Sequence, residues 1–327
     1  MKLYPLKFTP IFKERIWGGN KLETCFGKKL NGKTNIGESW ELSAVEDNVS
    51  LVENGALAGN SLQELIEIYM DELIGEKVYE QHGNEFPLLI KFIDANDDLS
   101  IQVHPDDKKA KERHHAFGKT EMWIALDDSE KPRLITGFNK NTNQETFLKK
   151  LNDGTLTELF NYEDVRKNDV FFVPAGRVHA ICSGNLIVEI QQTSDVTYRI
   201  YDYKRKDKDG NERELHLNLS LDVMDYSKVK EPKVAYKLED NHPTELVSCE
   251  YFTTNRLHLN KTIEREYFML DSFVIIICTA GSCNIGEKNG EMVHVKEGDT
   301  ILLPAVLNHV IYEKLSNTVD LIEVYIK

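Results

Sequence analysis

Asp169-Val-Phe-Phe-Val-Pro-Ala-Gly-Arg-Val-His179-Ala-Ile181 returns, 130 residues later, as Asp299-Thr-Ile-Leu-Leu-Pro-Ala-Val-Leu-Asn-His309-Val-Ile311. The two stretches align without a gap, and Asp169/Asp299, Pro174/Pro304, Ala175/Ala305 and His179/His309 coincide. Each reads as an acidic turn, an apolar strand, a Pro-Ala break and a second strand opened by a histidine. Proline has no N–H to give to a ladder, so the pairing stops there. A repeat of this length implies two copies of one all-β unit.

Working outward from His179, the run Leu99-Ser-Ile-Gln-Val-His-Pro-Asp-Asp107 carries the densest polar pattern. Strand side chains alternate, so Ser100, Gln102 and His104 share one face while Ile101 and Val103 share the other. Glu121 then heads the apolar run Met-Trp-Ile-Ala-Leu126, after a charged loop whose His114 and His115 read as solvated. Gln102, His104, Glu121 and His179, brought in by adjacent strands, form a divalent-metal site with an open position. In the second copy, Phe273–Cys278 offers no ligand type except Cys278. A metal-free C-terminal barrel is therefore expected, with His309 a relic or a core histidine. Turn, strand, Pro-Ala and histidine in this order is the pattern of a jelly-roll or cupin barrel. The expected fold class is mainly β, with two cupin/jelly-roll barrels and a helical insertion in the N-terminal part.

Composition bounds the reading. The 327 residues exceed the size at which one core stops growing. Apolar residues make up 41% and charged residues 29%, which is ordinary globular composition. No apolar run reaches membrane-spanning length, and Met-Lys-Leu-Tyr-Pro-Leu-Lys lacks a signal-peptide core. Five scattered cysteines without a CxxC argue against a disulfide framework and against a cysteine zinc site. A cytoplasmic protein is expected. A net charge of −14 disfavours nucleic acid and anionic membranes. An anionic substrate would need cations concentrated at its site.

In chain order, residues 1–20 read as an extended entry in which Trp17, before Gly18-Gly19, is a stacking surface or a barrel plug. A strand from Glu38 to Leu42 puts Trp40 and Leu42 on one face, with Glu38 beside Trp40, and Ser39, Glu41 and Ser43 on the other. One helix is expected over 61–82, opened by a Ser61/Glu64 capping box and ended at Gly83. Phe86–Asp94 is an apolar strand carrying a single lysine, Lys91, read as a functional charge. A second helical segment spans 143–161 with a break at Gly154. In the strands that follow, Glu189 and Gln191 share a face, as do Thr197 and Arg199. Lys204–Arg213 reads as a solvated turn without function, and a short helix follows near 217–224. The expected domains are 1–230, metal-binding and catalytic, a 231–245 linker, and 246–327, a barrel without metal.

Ser100-Ile-Gln102-Val-His104-Pro-Asp, Gly-Lys119-Thr-Glu121-Met-Trp, Val-Pro-Ala-Gly-Arg-Val-His179-Ala and Gln-Gln-Thr-Ser-Asp195 leading to Arg199 together resemble the type I phosphomannose isomerases. The short bacterial branch fits from about Phe8 to the C-terminus. The resemblance implies a zinc enzyme built on cupin barrels that interconverts mannose 6-phosphate and fructose 6-phosphate. It implies one Zn2+ per chain, held by Gln102, His104, Glu121 and His179. It places Lys91, Lys119 and Arg199 in the active site and Trp17, Glu38 and Glu189 in the pocket. One departure is Lys119-Thr-Glu121, where many members have Lys-Pro-Glu; the ligand spacing is kept. Moving a proton between C1 and C2 of a sugar needs a base and a positive centre for the developing enediolate. Arg199, Lys119, Glu189 and Lys91 are the catalytic candidates, and the base stays open among the last three. Ser100, Lys91, Lys119, Arg199, Trp17 and Glu38 are the expected substrate contacts. The expected partner is a phosphorylated hexose, and the expected state a monomer or weak homo-oligomer. An iron-dependent oxygenase and a non-enzymatic sugar-binding barrel are the rival readings.

Overall fold

The computed structural model describes residues 2–127, 132–206, 209–288 and 290–327. Strands dominate, and among the described residues the strands within each sheet pair antiparallel. A first, six-stranded sheet runs Val170–Val173, Glu121–Ala125, Leu186–Gln192, Leu88–Asp94, Ile36–Leu42, Ile11–Gly19. A second, five-stranded sheet runs Phe160–Asp164, Arg133–Phe138, His179–Ile181, Ile101–Val103, Tyr198–Tyr201. The third has six strands: Leu6–Lys7, Thr300–Leu303, Val274–Ala280, Val319–Tyr325, Thr253–Leu259, Pro243–Ser248. The fourth has four: Ile263–Glu266, His309–Lys314, Ser282–Gly286, Met292–Lys296.

Period-two alternation decides how these sheets pack. In the strand Leu88–Asp94, Ile90 and Phe92 enter one core while Ile93 enters another. Trp123, Phe171 and Ile187 of the first sheet meet Leu134 and Ile181 of the second, which closes the N-terminal β-layer pair around a shared interior. The outer face of the second sheet is covered by the helices Gln144–Asn152 and Leu217–Val223. The outer face of the first sheet packs, with the helices of residues 62–82, against Ile275, Ile277, Ile322 and Val324 of the third sheet. That shared core joins the two halves of the chain. The N-terminus reinforces it, because Leu6–Lys7 pairs with Thr300–Leu303. The strand Pro243–Ser248 begins inside the stretch read as a linker.

Several local expectations are corrected. The single helix over 61–82 is three helices: Leu62–Tyr69, Asp71–Ile74 and Glu76–His82. Its capping box and its Gly83 stop are present. The breaks fall at Met70 (φ 45°) and Gly75 (φ 93°). There the C-terminal half takes over the backbone hydrogen bonds: Ala305 N–H donates to the Leu73 carbonyl and Phe273 N–H to that of Ile74. The Asp271 carboxylate accepts from the N–H groups of Glu76 and Lys77. A Cβ on Gly75 would stand 2.6 Å from the Asp271 carbonyl oxygen, so only glycine fits. In the second helical segment, Phe160 has already started the strand Phe160–Asp164.

Trp40 and Leu42 do not share a face. The register against Leu88–Asp94 shifts between them, with Trp40 opposite Lys91 and Leu42 opposite Ile90. This bulge at Glu41 sends Leu42 into the core between the halves and leaves Trp40 facing the interior. Of the two readings of His309, a relic or a core histidine, the second is corrected. This residue opens its strand as His179 does, yet Val310 and Tyr312, not His309, enter the C-terminal core. In the first copy His179 and Ile181 face inward and Ala180 outward. The copies are out of phase by one residue, which exchanges the two faces. His309 is therefore not a core histidine; it bonds Glu264 across 2.9 Å with its side chain 39% exposed.

Candidate active site

The interior between the first two sheets opens into a cavity of about 430 Å³, within the usual range for small-molecule sites. Antiparallel pairing sets His179 directly opposite Gln102, so both side chains leave the ladder on one side. The facing sheet contributes Glu121, at the head of its strand. His104, Glu121 and His179 are buried, and one ligand-type atom from each lies within 4.8 Å of the others. His179 Nε2 is 3.3 Å from Glu121 Oε1, and His104 Nε2 is 3.6 Å from Glu121 Oε2. Gln102 Nε2 lies 3.3 Å from His179 Nε2.

The tautomers follow from the outward-facing ring nitrogens. His104 Nδ1–H donates to the Val196 carbonyl and His179 Nδ1–H to that of Arg177, each at 2.9 Å. Both Nε2 lone pairs therefore point at the cluster, as metal-binding imidazoles require. His104 Nε2 and both Glu121 oxygens are buried without a hydrogen bond. Orphaned acceptors of this kind are costly unless a cation takes them. Burial, aided by Lys119, holds His179 down to about 4 and His104 well below its ordinary range, so both are neutral at pH 7. Burial and then the neighbouring Glu189 push the Glu121 carboxyl up to about 7. Two neutral imidazoles, a carboxylate whose oxygens take no hydrogen bond and an amide fit a divalent cation.

Beside this cluster lies a buried set of alternating charges. Lys119 Nζ is 3.3 Å from Glu121 Oε2. Lys91 Nζ is 3.1 Å from Glu189 Oε1, and Trp123 Nε1–H donates to Glu189 Oε2 at 3.0 Å. Burial alone would raise the Glu189 carboxyl, but Lys91 and Lys119 outweigh it and keep it low. Burial would lower Lys119, but Glu121 and Glu189 outweigh it and keep the ammonium charged. Glu38 takes two bonds from Arg15, at 3.0 and 3.1 Å, and one from Trp40 Nε1 at 2.7 Å. These partners and Lys91 override burial and hold it down to about 2.

The structure brings every site residue expected from the sequence to this one region. Trp17, Glu38, Lys91, Ser100, Gln102, Lys119, His179, Glu189 and Arg199 line the cavity, with His104 and Glu121 directly behind the wall. His114 stays outside it, bonded to the Tyr198 hydroxyl. The sequence reading missed Lys13 and Arg15, although Lys13, Arg15 and Trp17 alternate onto the cavity face of Ile11–Gly19. It also missed Arg213, which lies in the turn read as solvated and functionless. Residues 207 and 208 of that turn lie outside the described residues. Nothing in its run of charges marks Arg213 out; only the folded chain does.

Comparison with known proteins accords with this geometry. Residues 5–144 match the family model described as phosphomannose isomerase type I, catalytic domain. The mannose-6-phosphate isomerase ManA of Bacillus subtilis is 38% identical over 308 residues, covering 93% of this chain and 94% of that one. A mannose-6-phosphate isomerase of Streptococcus mutans is 35% identical over 301 residues, covering 92% of each. The crystal structure of the mannose 6-phosphate isomerase from Bacillus subtilis superposes with a TM-score of 0.88 at 33% identity, covering 99% of this chain and 100% of that one.

Proposed function

The chain belongs to the type I phosphomannose isomerases, and from that premise we propose a zinc-dependent interconversion of D-mannose 6-phosphate and D-fructose 6-phosphate through an enediol. The observation that carries the cation is the convergence of buried acceptors on His104 and Glu121 that take no hydrogen bond, Glu121 facing only the Lys119 charge, with His179 and Gln102 alongside. A divalent cation held by these four would polarise the oxygens at C1 and C2 and offset the charge of the enediolate. Three neutral ligands and one carboxylate leave that cation a net positive charge.

The remaining work falls to the chain's own side chains. Glu189 is the proton carrier: it lines the cavity and is held ionised by Lys91 and Lys119. Lys119, kept protonated by its carboxylate neighbours, supplies fixed positive charge beside the reacting carbons. Lys91 fixes the Glu189 carboxylate, and Trp123 holds its other oxygen. Ser100 Oγ lies 3.4 Å from Gln102 Oε1, placed to orient both the ligand and a sugar hydroxyl. Trp17 and Trp40 give apolar walls, and Arg199 offers its guanidinium to the phosphate. The domain division at 231–245 goes with this reading: residues 1–230 supply every group named here.

Chelator-treated protein should lose conversion of mannose 6-phosphate and regain it on adding zinc. E189Q should then abolish deuterium exchange at C2, while K119M slows turnover with exchange still measurable. Full exchange in E189Q refutes Glu189 as the base, and no turnover by folded, zinc-restored protein refutes the reaction.

A further inference from the structure

The phosphate of a hexose 6-phosphate carries close to two negative charges at neutral pH. Its site must therefore bring positive charge together beyond what the neighbouring carboxylates balance. Most of the cavity's cations are spoken for. Lys91 is paired with Glu189, Lys119 with Glu121, and Arg15 with Glu38. Lys13 is a single charge bedded on the Asn48 side chain and 4.5 Å from the Trp40 ring centre.

Arg199 differs, and Arg213, although paired with Asp202, lines the same cavity. Among the described residues Arg199 forms no ion pair; Nη1 donates to the Glu214 carbonyl at 2.8 Å, and the buried Nε has no partner. Burial and then the charge of Arg213 lower its pKa, so the two guanidinium groups, which line the same cavity, repel each other. Arg213 is held there by Asp202, which accepts from Nε at 2.7 Å and from Nη2 at 2.6 Å. Asp202 is 4% exposed and also accepts from Arg205. Arg205 in turn donates to the Asp98 carbonyl, anchoring the carboxylate from behind. Asp202, and Asp97 at 3.5 Å from Arg205, thus balance two of the three arginines, and the unpaired charge of Arg199 is left facing the cavity with Arg213 next to it. Holding like charges together in a half-buried place costs stability unless a dianion joins them.

We propose that Arg213, held by Asp202, completes with Arg199 the site that takes the phosphate of the substrate. This rests on the isomerase reading above and adds its phosphate end. Asp202 is a positioning residue; Arg213 is the group that touches the ligand. Two forked guanidiniums suit a tetrahedral oxyanion better than ammonium groups do.

The experiment is steady-state kinetics on R213M, R213K, D202N and R213M/D202N, with inorganic phosphate as competitive inhibitor and calorimetric phosphate titration alongside. Loss of one charge-assisted fork should raise KM for mannose 6-phosphate and weaken phosphate about ten- to a hundred-fold, with kcat nearly kept. R213K should recover part of the loss. D202N should raise KM, and the double variant should be no worse than R213M, since both act through one guanidinium. An R213M protein with unchanged KM and unchanged phosphate affinity overturns the proposal, and additive loss in the double variant overturns the role of Asp202. If the wild-type chain fails to turn over mannose 6-phosphate, the isomerase reading falls by itself. The phosphate titration then still decides Arg213, and equal affinity in wild type and R213M refutes it.

Discussion

Breaking the pair between Lys91 and Glu189 should cost more than any other single change in the cavity that leaves the His104, Glu121 and His179 cluster intact. The two side chains are 6% and 5% exposed and 3.1 Å apart. At an effective dielectric of about 20, that separation is worth roughly 5 kcal/mol of attraction. Much of this offsets desolvation, so the pair as a whole stabilises little, but a lone survivor is left buried and charged. K91M should therefore destabilise by about 3–5 kcal/mol, and K91M/E189Q by clearly less than the two single losses added together. A coupling of roughly 3 kcal/mol is expected from the double-mutant cycle. Urea titration at pH 7.5 reads it directly, with divalent cation held constant so that ligand linkage does not differ among variants. Tryptophan emission is the probe, because all three tryptophans, Trp17, Trp40 and Trp123, sit in the N-terminal interior. Additive losses, with coupling below about 0.5 kcal/mol, would refute the claim that the pair is desolvated.

Glu38 has a folded pKa of about 2 against an ordinary 4.5. A lowered carboxyl stabilises the fold above its unfolded pKa and loses that contribution as pH falls towards the folded one. The full contribution is about 3 kcal/mol, of which about 2 should be gone by pH 3. The stability gap between wild type and E38Q, measured by urea midpoints from pH 5.5 to 3, should narrow by that amount. His309 makes an exposed ion pair with Glu264, so H309A should shift stability by less than about 1 kcal/mol and leave isomerase activity unchanged. H179A, at the aligned position, removes one of the three clustered groups and should lower the divalent-cation content measured by metal analysis. G75A should lower the thermal midpoint, since its φ of 93° and the Asp271 backbone leave no room for a Cβ.

What the sequence determined by itself was whatever depends on local periodicity. Alternation along one strand is enough to put Gln102 and His104 on a common face, and to single out Lys91 within an apolar run. The Ser61/Glu64 capping box and the Gly83 stop are likewise written within a single turn of chain. The repeat of Asp-strand-Pro-Ala-His marked a strand, a break and a second strand at both places in the chain, because the Pro-Ala break acts on its own neighbourhood. What only the tertiary structure decided depends on partners distant in the chain. Ladder register moved Leu42 off the face of Trp40, and a one-residue phase difference turned His309 outward where His179 turns in. Carbonyl groups of residues 72–74 bond N–H groups near residues 273 and 305, and this cut one helix into three. Arg213 became a cavity residue only because Asp202 holds it there across a turn. Side-chain direction is set within the residue and its strand, whereas register, bulges and charge partners are set by whichever segment packs alongside.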